Sequence, residues 1–273
     1  MSSGQEFLQN KVKTSLLLCA NFGEGKTSVI ITFPKIFYIG FRQGGLEVIR
    51  QTKNISYQKN LIRYEELCPK SDEELREMFQ PDGRKGLIFK YLDEAKEMAK
   101  KGEVDTLAID DFTDGVENVQ KYIWTFRKKM GQGGMDDTQG MYGDLKIQLS
   151  NLFDRDMLTF RRFGNLIVST HVMREAEQTI EGTKTRAGAV DKQSDLYPDI
   201  IGSFRREVQR KFENVIYMET KLSGQQRKFV AYTCKQIAFG TVILAKNSLG
   251  LPPVIENVTY ESILNNNQPT VAK

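Results

Sequence analysis

One stretch constrains this chain more than any other: Leu16-Leu17-Leu18-Cys19-Ala20-Asn21-Phe22-Gly23-Glu24-Gly25-Lys26-Thr27-Ser28. An apolar run ends in a loop with two glycines, then Lys-Thr, then Val29-Ile30-Ile31. That is the order strand, loop, helix. Successive main-chain N–H groups in such a loop turn inward to hold phosphate oxygens, and the helix behind them adds the positive end of its dipole. Gly25 lets the main chain pass close to a ligand where a Cβ would collide. Lys26 is spaced to reach β- and γ-phosphates, and the Thr27 hydroxyl to sit on Mg²⁺. The predicted cradle is therefore Ala20, Asn21, Phe22, Gly23, Glu24, Gly25, Lys26, Thr27 and Ser28. Ala20 stands where the usual pattern has its first glycine. The competing reading is a glycine-rich turn that holds no ligand.

Around this loop the chain reads as alternating strands and helices. Thr14 to Cys19 is a buried strand, a short apolar run bounded by polar residues. The helix opening at Lys26 is short because Pro34 closes it. Ile36 to Ile39 is a second buried strand, ending in the loop Gly40-Phe41-Arg42-Gln43-Gly44-Gly45. Strand, helix, strand in so few residues implies a parallel crossover, and in such sheets ligands collect beyond the carboxyl ends of the strands. Ile55 to Tyr64 fits either helix or strand. Asp72 to Phe79 reads as a short acidic helix. Leu87 to Lys101 is a helix with Leu87, Tyr91, Leu92, Ala95 and Met98 on one face and Gly102 as its stop.

Thr106-Leu107-Ala108-Ile109 then delivers Asp110 and Asp111 to a strand end. Asp110 is the expected partner of Thr27 at the metal. Asp111 is read either as the group that orients or deprotonates an attacking water, or as a helix N-cap. Val116 to Met130 is an amphipathic helix. Met130 to Gly143 holds five glycines and reads as a long mobile loop. Leu145 to Phe163 is another helix, with Arg161 and Arg162 favouring its C-terminus.

Asn165 to His171 is a fourth buried strand with a polar tip. His171, the only histidine, is read either as a γ-phosphate sensor with Thr170 or as a hydrogen-bonded structural histidine. Arg174 to Ser194 reads as a polar loop. Phe212 to Lys221 and Lys228 to Gln236 form a hairpin, and Thr241 to Ala245 reads as the last strand.

Composition narrows the class without choosing within it. A hydrophobic fraction of 40% and a charged fraction of 27% are ordinary for a globular protein. A net charge of +4 permits a polyanionic partner and does not demand one. Cys19, Cys68 and Cys234 are odd in number and far apart, so neither a disulfide framework nor a zinc site is expected, and a reducing compartment is. No basic n-region with an apolar core opens the chain, and no run approaches the roughly 20 apolar residues of a membrane helix. The expectation is one domain over 1–264 with a frayed tail over 265–273.

Taken in this order, the motifs resemble the RecA-core ATPases carried by bacteriophages, the group that includes RecA-like single-strand annealing proteins. The resemblance covers most of the chain. It rests on Ala20 to Thr27, the Tyr38 to Leu46 strand and double glycine, Leu107 to Asp111, and Gly143-Asp144-Leu145. It continues through Ile167 to His171, the segment from Leu196-Tyr197-Pro198-Asp199 to Tyr217, and Ala245-Lys246-Asn247 with Leu251-Pro252. It implies an α/β RecA-like P-loop NTPase core: a mostly parallel sheet flanked by helices, with a C-terminal antiparallel hairpin.

What the resemblance implies beyond the fold is ATP with Mg²⁺ at the loop and single-stranded DNA as partner in phage recombination or annealing. It also implies a homo-oligomer, a phage or host single-strand-binding protein as a further partner, and the cytoplasm of an infected bacterium as the setting. Met130 to Gly143 and Arg174 to Ser194 take the places of two DNA-binding loops. Tyr142 would stack on bases, and Lys184, Arg186, Lys192, Arg205 and Arg206 would neutralise backbone phosphates. The bland reading is two flexible loops without a ligand. Lys246 is the candidate for the C-terminal cation that reaches a neighbour's γ-phosphate.

One departure from the family pattern bears on chemistry. Gln43 stands where a glutamate usually activates water, and a neutral amide orients water without accepting its proton. Either Asp111 or Glu24 takes the base role, or ATP is bound and hydrolysed slowly. The expected catalytic set is thus Lys26, Asp111, Gln43, Glu24 and His171. Two other functions fit the same motifs: a helicase-loader-type or other regulatory P-loop ATPase with a protein partner, and a nucleotide-independent annealing scaffold with a degenerate site.

Overall fold

Four strands have every residue buried: β1 (Ser15–Ala20), β2 (Ile36–Gly40), and two that turn out to be β4 (Thr106–Asp110) and β5 (Asn165–Thr170). Strands covered on both faces read as continuous apolar runs, which is why these four were legible in the sequence. The structure, a computed structural model, describes residues 13–51, 55–79, 85–129, 138–174, 195–200, 204–223, 226–238 and 241–264. The remaining strands are β3 (Leu61–Glu66), β6 (Val172–Arg174), β7 (Asp195–Pro198), β8 (Asn214–Ser223), β9 (Gln226–Tyr232), β10 (Gln236–Ala238), β11 (Thr241–Ile243) and β12 (Val254–Glu256). The α-helices are α1 (Lys26–Ile30), α2 (Gly45–Gln51), α3 (Ile55–Gln58), α4 (Asp72–Phe79), α5 (Leu87–Lys100), α6 (Phe112–Lys129), α7 (Thr138–Asn151), α8 (Phe204–Lys211) and α9 (Tyr260–Leu264).

Among the described residues the main sheet has eight strands in the order β12-β9-β8-β1-β5-β4-β2-β3. From β8 to β3 every pairing is parallel, while β9 and β12 are antiparallel. β5 therefore lies between the loop-bearing β1 and the acid-bearing β4. One face of the sheet buries Leu17, Phe37, Leu107 and Val168 beneath α5, α6 and α7. The other buries Leu16, Leu18, Ala108 and Ile167 beneath Val29 and Ile30 of α1 and Ile263 of α9. This is the mostly parallel, helix-flanked core that the resemblance implied, with the β8–β9 hairpin at its C-terminal side. A smaller sheet, β10-β11-β7-β6, sits beyond β5 in the chain. No described helix is long and apolar enough to cross a membrane.

Four expectations are corrected. The ambiguous Ile55 to Tyr64 divides into α3 and β3. The predicted loop from Met130 to Gly143 is helical from Thr138 onward. Gly140 and Gly143 each cost a helix about 1 kcal/mol relative to Ala, but Met141, Leu145 and Leu149 are buried against the core and override that cost. Residues 130–137 lie outside the described residues. The helix expected from Leu145 to Phe163 changes winding, passing through a π-helical turn at Leu152–Met157 and a 3₁₀ turn at Leu158–Arg162. Thr241 to Ala245 is not the last strand, since β12 follows and pairs with β9. Residues 175–194 of the predicted polar loop, and 265–273 of the predicted tail, lie outside the described residues.

Candidate functional site

β1 ends at Ala20, and the chain turns through Gly23 (φ 76°) and Gly25 (φ 83°) into α1. Both glycines use the left-handed region that side chains disfavour. Gly25 is also held by packing: a Cβ there would stand 2.3 Å from the ring of Phe229 on β9. No side chain caps the N-terminus of α1, so the first amides of the helix remain available to a ligand.

Lys26 is 6% exposed, and its ammonium is held on all sides. Nζ donates to the carbonyls of Ala20 and Asn21, each at 3.3 Å, and to His171 Nδ1 at 3.2 Å; Asp111 Oδ1 lies 3.7 Å away. An ammonium only donates, so Nδ1 accepts and the proton of neutral His171 sits on Nε2. Burial, with Lys26 adding to it, holds His171 below the usual histidine range. Its Nε2 is 3.4 Å from Asp111 Oδ1 and has no hydrogen-bond partner among the described residues. The His171 amide donates to Thr113 Oγ1 at 2.9 Å.

Thr27 Oγ1 donates to Asp110 Oδ2 at 2.7 Å. Asp110 is 2% exposed and also accepts from Tyr38 OH, Ser169 Oγ and the Asp111 amide. The pairing fits a hard cation: a hydroxyl whose proton is given to the carboxylate keeps its lone pairs for an oxygen-preferring ion such as Mg²⁺. Among the described residues, no group of three or more His, Cys, Asp or Glu side chains is arranged to hold a metal.

Asp111 combines the two readings the sequence left open. Its backbone is left-handed (φ 53°) and its carbonyl accepts the Asp114 amide at 3.0 Å, so the main chain opens α6. The carboxylate instead lines the cavity beside Lys26 and His171. Burial first, and the neighbouring Asp110 second, push its pKa up to about 6, against the pull of Lys26. Glu24 is engaged within the loop, Oε2 accepting the Asn21 amide at 3.0 Å. Burial raises its pKa, which that hydrogen bond opposes. Gln43 is exposed in the turn between β2 and α2 and lines the same cavity.

The cavity itself is about 390 Å³. It runs from Phe22 through Ser28 and is closed by the β2–α2 turn on one side and by Arg227 and Phe229 of β9 on the other. The Arg42 guanidinium lies 4.5 Å from the ring centroid of Phe22, which is 73% exposed. Sequence reasoning missed Arg42, Arg227, Phe229, Tyr38 and Ser169. For Arg227 and Phe229 the usable signal was alternation on one face of a predicted strand. For Tyr38 it was a polar tip inside an otherwise apolar run.

The remaining candidates lie elsewhere. Lys246 pairs its backbone with Val215, and its Nζ donates to the Phe212 carbonyl at 2.8 Å. Val215 is in register with Leu17 of β1, so Lys246 sits toward the end of the sheet away from this chain's own loop. Tyr142 stands on α7 with its ring edge-to-face against Trp124 at 5.3 Å. Arg205 meets the Met173 sulfur at 3.6 Å, and Arg206 lies 5.3 Å from the Tyr197 ring centroid. Lys184, Arg186 and Lys192 lie outside the described residues.

A family model described as an AAA domain matches residues 12–247. No curated protein matches the sequence. Among solved structures, the chain is similar to the flagellar accessory protein FlaH from Methanocaldococcus jannaschii, at 12% identity and a TM-score of 0.39, covering 80% of this chain and 76% of that one.

Proposed function

The chain belongs to the AAA domain family of P-loop ATPases, and from that premise we propose that it binds ATP with Mg²⁺ between Ala20 and Ser28, hydrolyses it, and couples it to single-stranded DNA. The observation that carries the nucleotide half is the 2.7 Å contact between Thr27 and Asp110, with buried Lys26 held one residue away. Bound Mg²⁺ would neutralise charge on the terminal phosphates. Thr27 and Asp110 are the residues to hold it, and the loop amides orient the phosphates.

Lys26 exchanges the Ala20 and Asn21 carbonyls for phosphate oxygens, a charge-assisted set of hydrogen bonds. Asp111, with a pKa near 6, is mostly ionised at neutral pH and basic enough to accept a proton from water. Glu24 is already occupied by the Asn21 amide. Of the two base candidates, Asp111 is therefore preferred, with Gln43, which lines the same cavity, orienting the water.

The DNA half rests on the phage RecA-like resemblance and on one feature of connectivity. Lys184, Arg186 and Lys192 belong to the stretch between β6 and β7, and β6 begins immediately after His171. That stretch is therefore joined through β6 to His171, the side chain that accepts from Lys26. The test is ATP turnover with and without single-stranded DNA, in wild type and Lys26→Ala. The expected result is DNA-stimulated turnover that Lys26→Ala abolishes. Annealing that survives this substitution supports a scaffold, and no single-strand binding at low salt supports a protein partner.

A further inference from the structure

Asp110 accepts four hydrogen bonds in this structure: Ser169 Oγ and the Asp111 amide on Oδ1, Thr27 Oγ1 and Tyr38 OH on Oδ2. An ionised carboxylate offers about four lone-pair sites, so its acceptor capacity is full. Holding a metal at Thr27 and Asp110 would call on one of those sites. On Oδ1, Ser169 is fully buried and the Asp111 amide is shared between that oxygen and Ser169 Oγ at 2.9 Å, while Oδ2 is the oxygen that accepts from Thr27. Thr27 belongs to the metal site itself. Tyr38 is the donor left to yield.

The surroundings of Tyr38 are built to hold it there. Its side chain is 1% exposed, and β2 pairs with β4 so that Gly40 is level with Asp110. Reaching from Tyr38 to Asp110 means crossing Gly40 and Gly45. A Cβ at Gly40 would stand 3.1 Å from the Tyr38 ring, and one at Gly45 would stand 2.8 Å from its hydroxyl. Both positions leave room for the phenol. The ring stacks on Tyr64, with centroids 5.1 Å apart and planes 17° from parallel. Tyr64 OH in turn accepts the Leu46 amide at 3.2 Å and donates to Glu66 at 2.9 Å. A continuous set of contacts thus runs from the metal carboxylate to the turn that carries Gln43.

We propose that Tyr38 is a positioning residue that latches Asp110 and would release that oxygen when Thr27 and Asp110 hold a metal, and that Tyr64 passes the release to the 40–46 turn. The inference rests on the reading of this site as one for Mg²⁺ and nucleotide. Two quantities test it: ADP affinity with EDTA against ADP affinity with Mg²⁺, and hydrogen exchange of the 40–46 segment in the same two conditions. Tyr38→Phe keeps the stacked ring and removes the donor. Its metal-free ADP affinity stays at the wild-type value, while its gain on adding Mg²⁺ rises about ten-fold, the worth of one hydrogen bond to a carboxylate. The Mg²⁺-dependent difference in exchange at 40–46 disappears. Tyr64→Phe leaves the latch intact, so its Mg²⁺ gain matches wild type while the exchange difference is again lost.

A residue that merely supports the fold would weaken ADP binding in both conditions. An unchanged or smaller Mg²⁺ gain in Tyr38→Phe overturns the inference, as does exchange that still responds to Mg²⁺ in either variant. Should Tyr38→Phe fail to fold, the exchange measurement on Tyr64→Phe decides. Wild-type protein that binds no ADP in either condition overturns the nucleotide reading itself, an outcome distinct from a variant that behaves like wild type.

Discussion

At the scale of single residues, Asp111 has the most measurable consequences. Its folded pKa of about 6 stands above the ordinary 3.8, so the folded chain holds a proton more tightly than the unfolded one. The contribution to stability is complete below pH 3.8 and lost as pH rises through about 6. Above that range the ionised side chain destabilises the fold by about 3 kcal/mol. Asp111→Asn should therefore raise the melting temperature of the nucleotide-free protein at pH 8, by about 2–4 °C per kcal/mol, and leave it unchanged at pH 4. The same substitution should remove the rise of kcat/KM with pH through about 6 and lower turnover at pH 8. Equal melting shifts at both pH values would show that burial of the charge is not what matters there. The arrangement exchanges stability for a base matched to neutral pH.

At the scale of elements, the β8–β9 hairpin was expected from the sequence, and what the sequence did not show is how far it reaches. β8 stays in register with β1 only as far as Met218 opposite Ala20, yet its pairing with β9 continues to Ser223. Five further residues at about 3.3 Å each carry the hairpin about 16 Å beyond the start of the phosphate loop. There Phe229 packs on Gly25 and Arg227 lines the cavity. Gly25→Ala should therefore fail twice, through its left-handed backbone, worth about 1 kcal/mol, and through overlap with Phe229. Adding Phe229→Ala should relieve only the second fault, so the double variant should melt above the value expected from adding the two single losses. Simple additivity in that cycle would mean that Phe229 and Gly25 do not meet.

The same hairpin shows where sequence reading stops. Lys26, Thr27 and Asp110 were legible because a short motif fixes their chemistry locally and buried strands announce themselves as apolar runs. Arg227, Phe229 and Tyr38 were not, because their roles arise from strands distant in sequence meeting at one edge. Their residue types are ordinary for a strand. The helix at Thr138 was missed for a related reason: glycine content is a local signal, and burial of Met141, Leu145 and Leu149 is a global one.

At the scale of the whole molecule, the two faces of the sheet divide the work. The α1 face holds the nucleotide apparatus, while the opposite face is tied together by aromatic rings around Phe153. That ring, fully buried, lies edge-on to Phe112 at 4.8 Å and packs against Phe204 at 5.5 Å and Phe212 at 6.0 Å. It joins the helix that follows Asp111 to the segment entering β8. Phe153→Ala should cost about 3–5 kcal/mol, read as a loss of denaturant midpoint with one cooperative transition retained. A loss below about 1 kcal/mol would mean that this cluster does not bind the elements together.

The central claim is that main-chain amides and the Lys26 ammonium hold a triphosphate. Equilibrium binding of ATP in the presence of Mg²⁺, wild type beside Lys26→Ala, tests that most directly. The expected result is binding by wild type that weakens about 100-fold in the variant, since at least one strong charge-assisted contact is removed. Equal affinity in the two proteins, or no affinity in wild type, would contradict it.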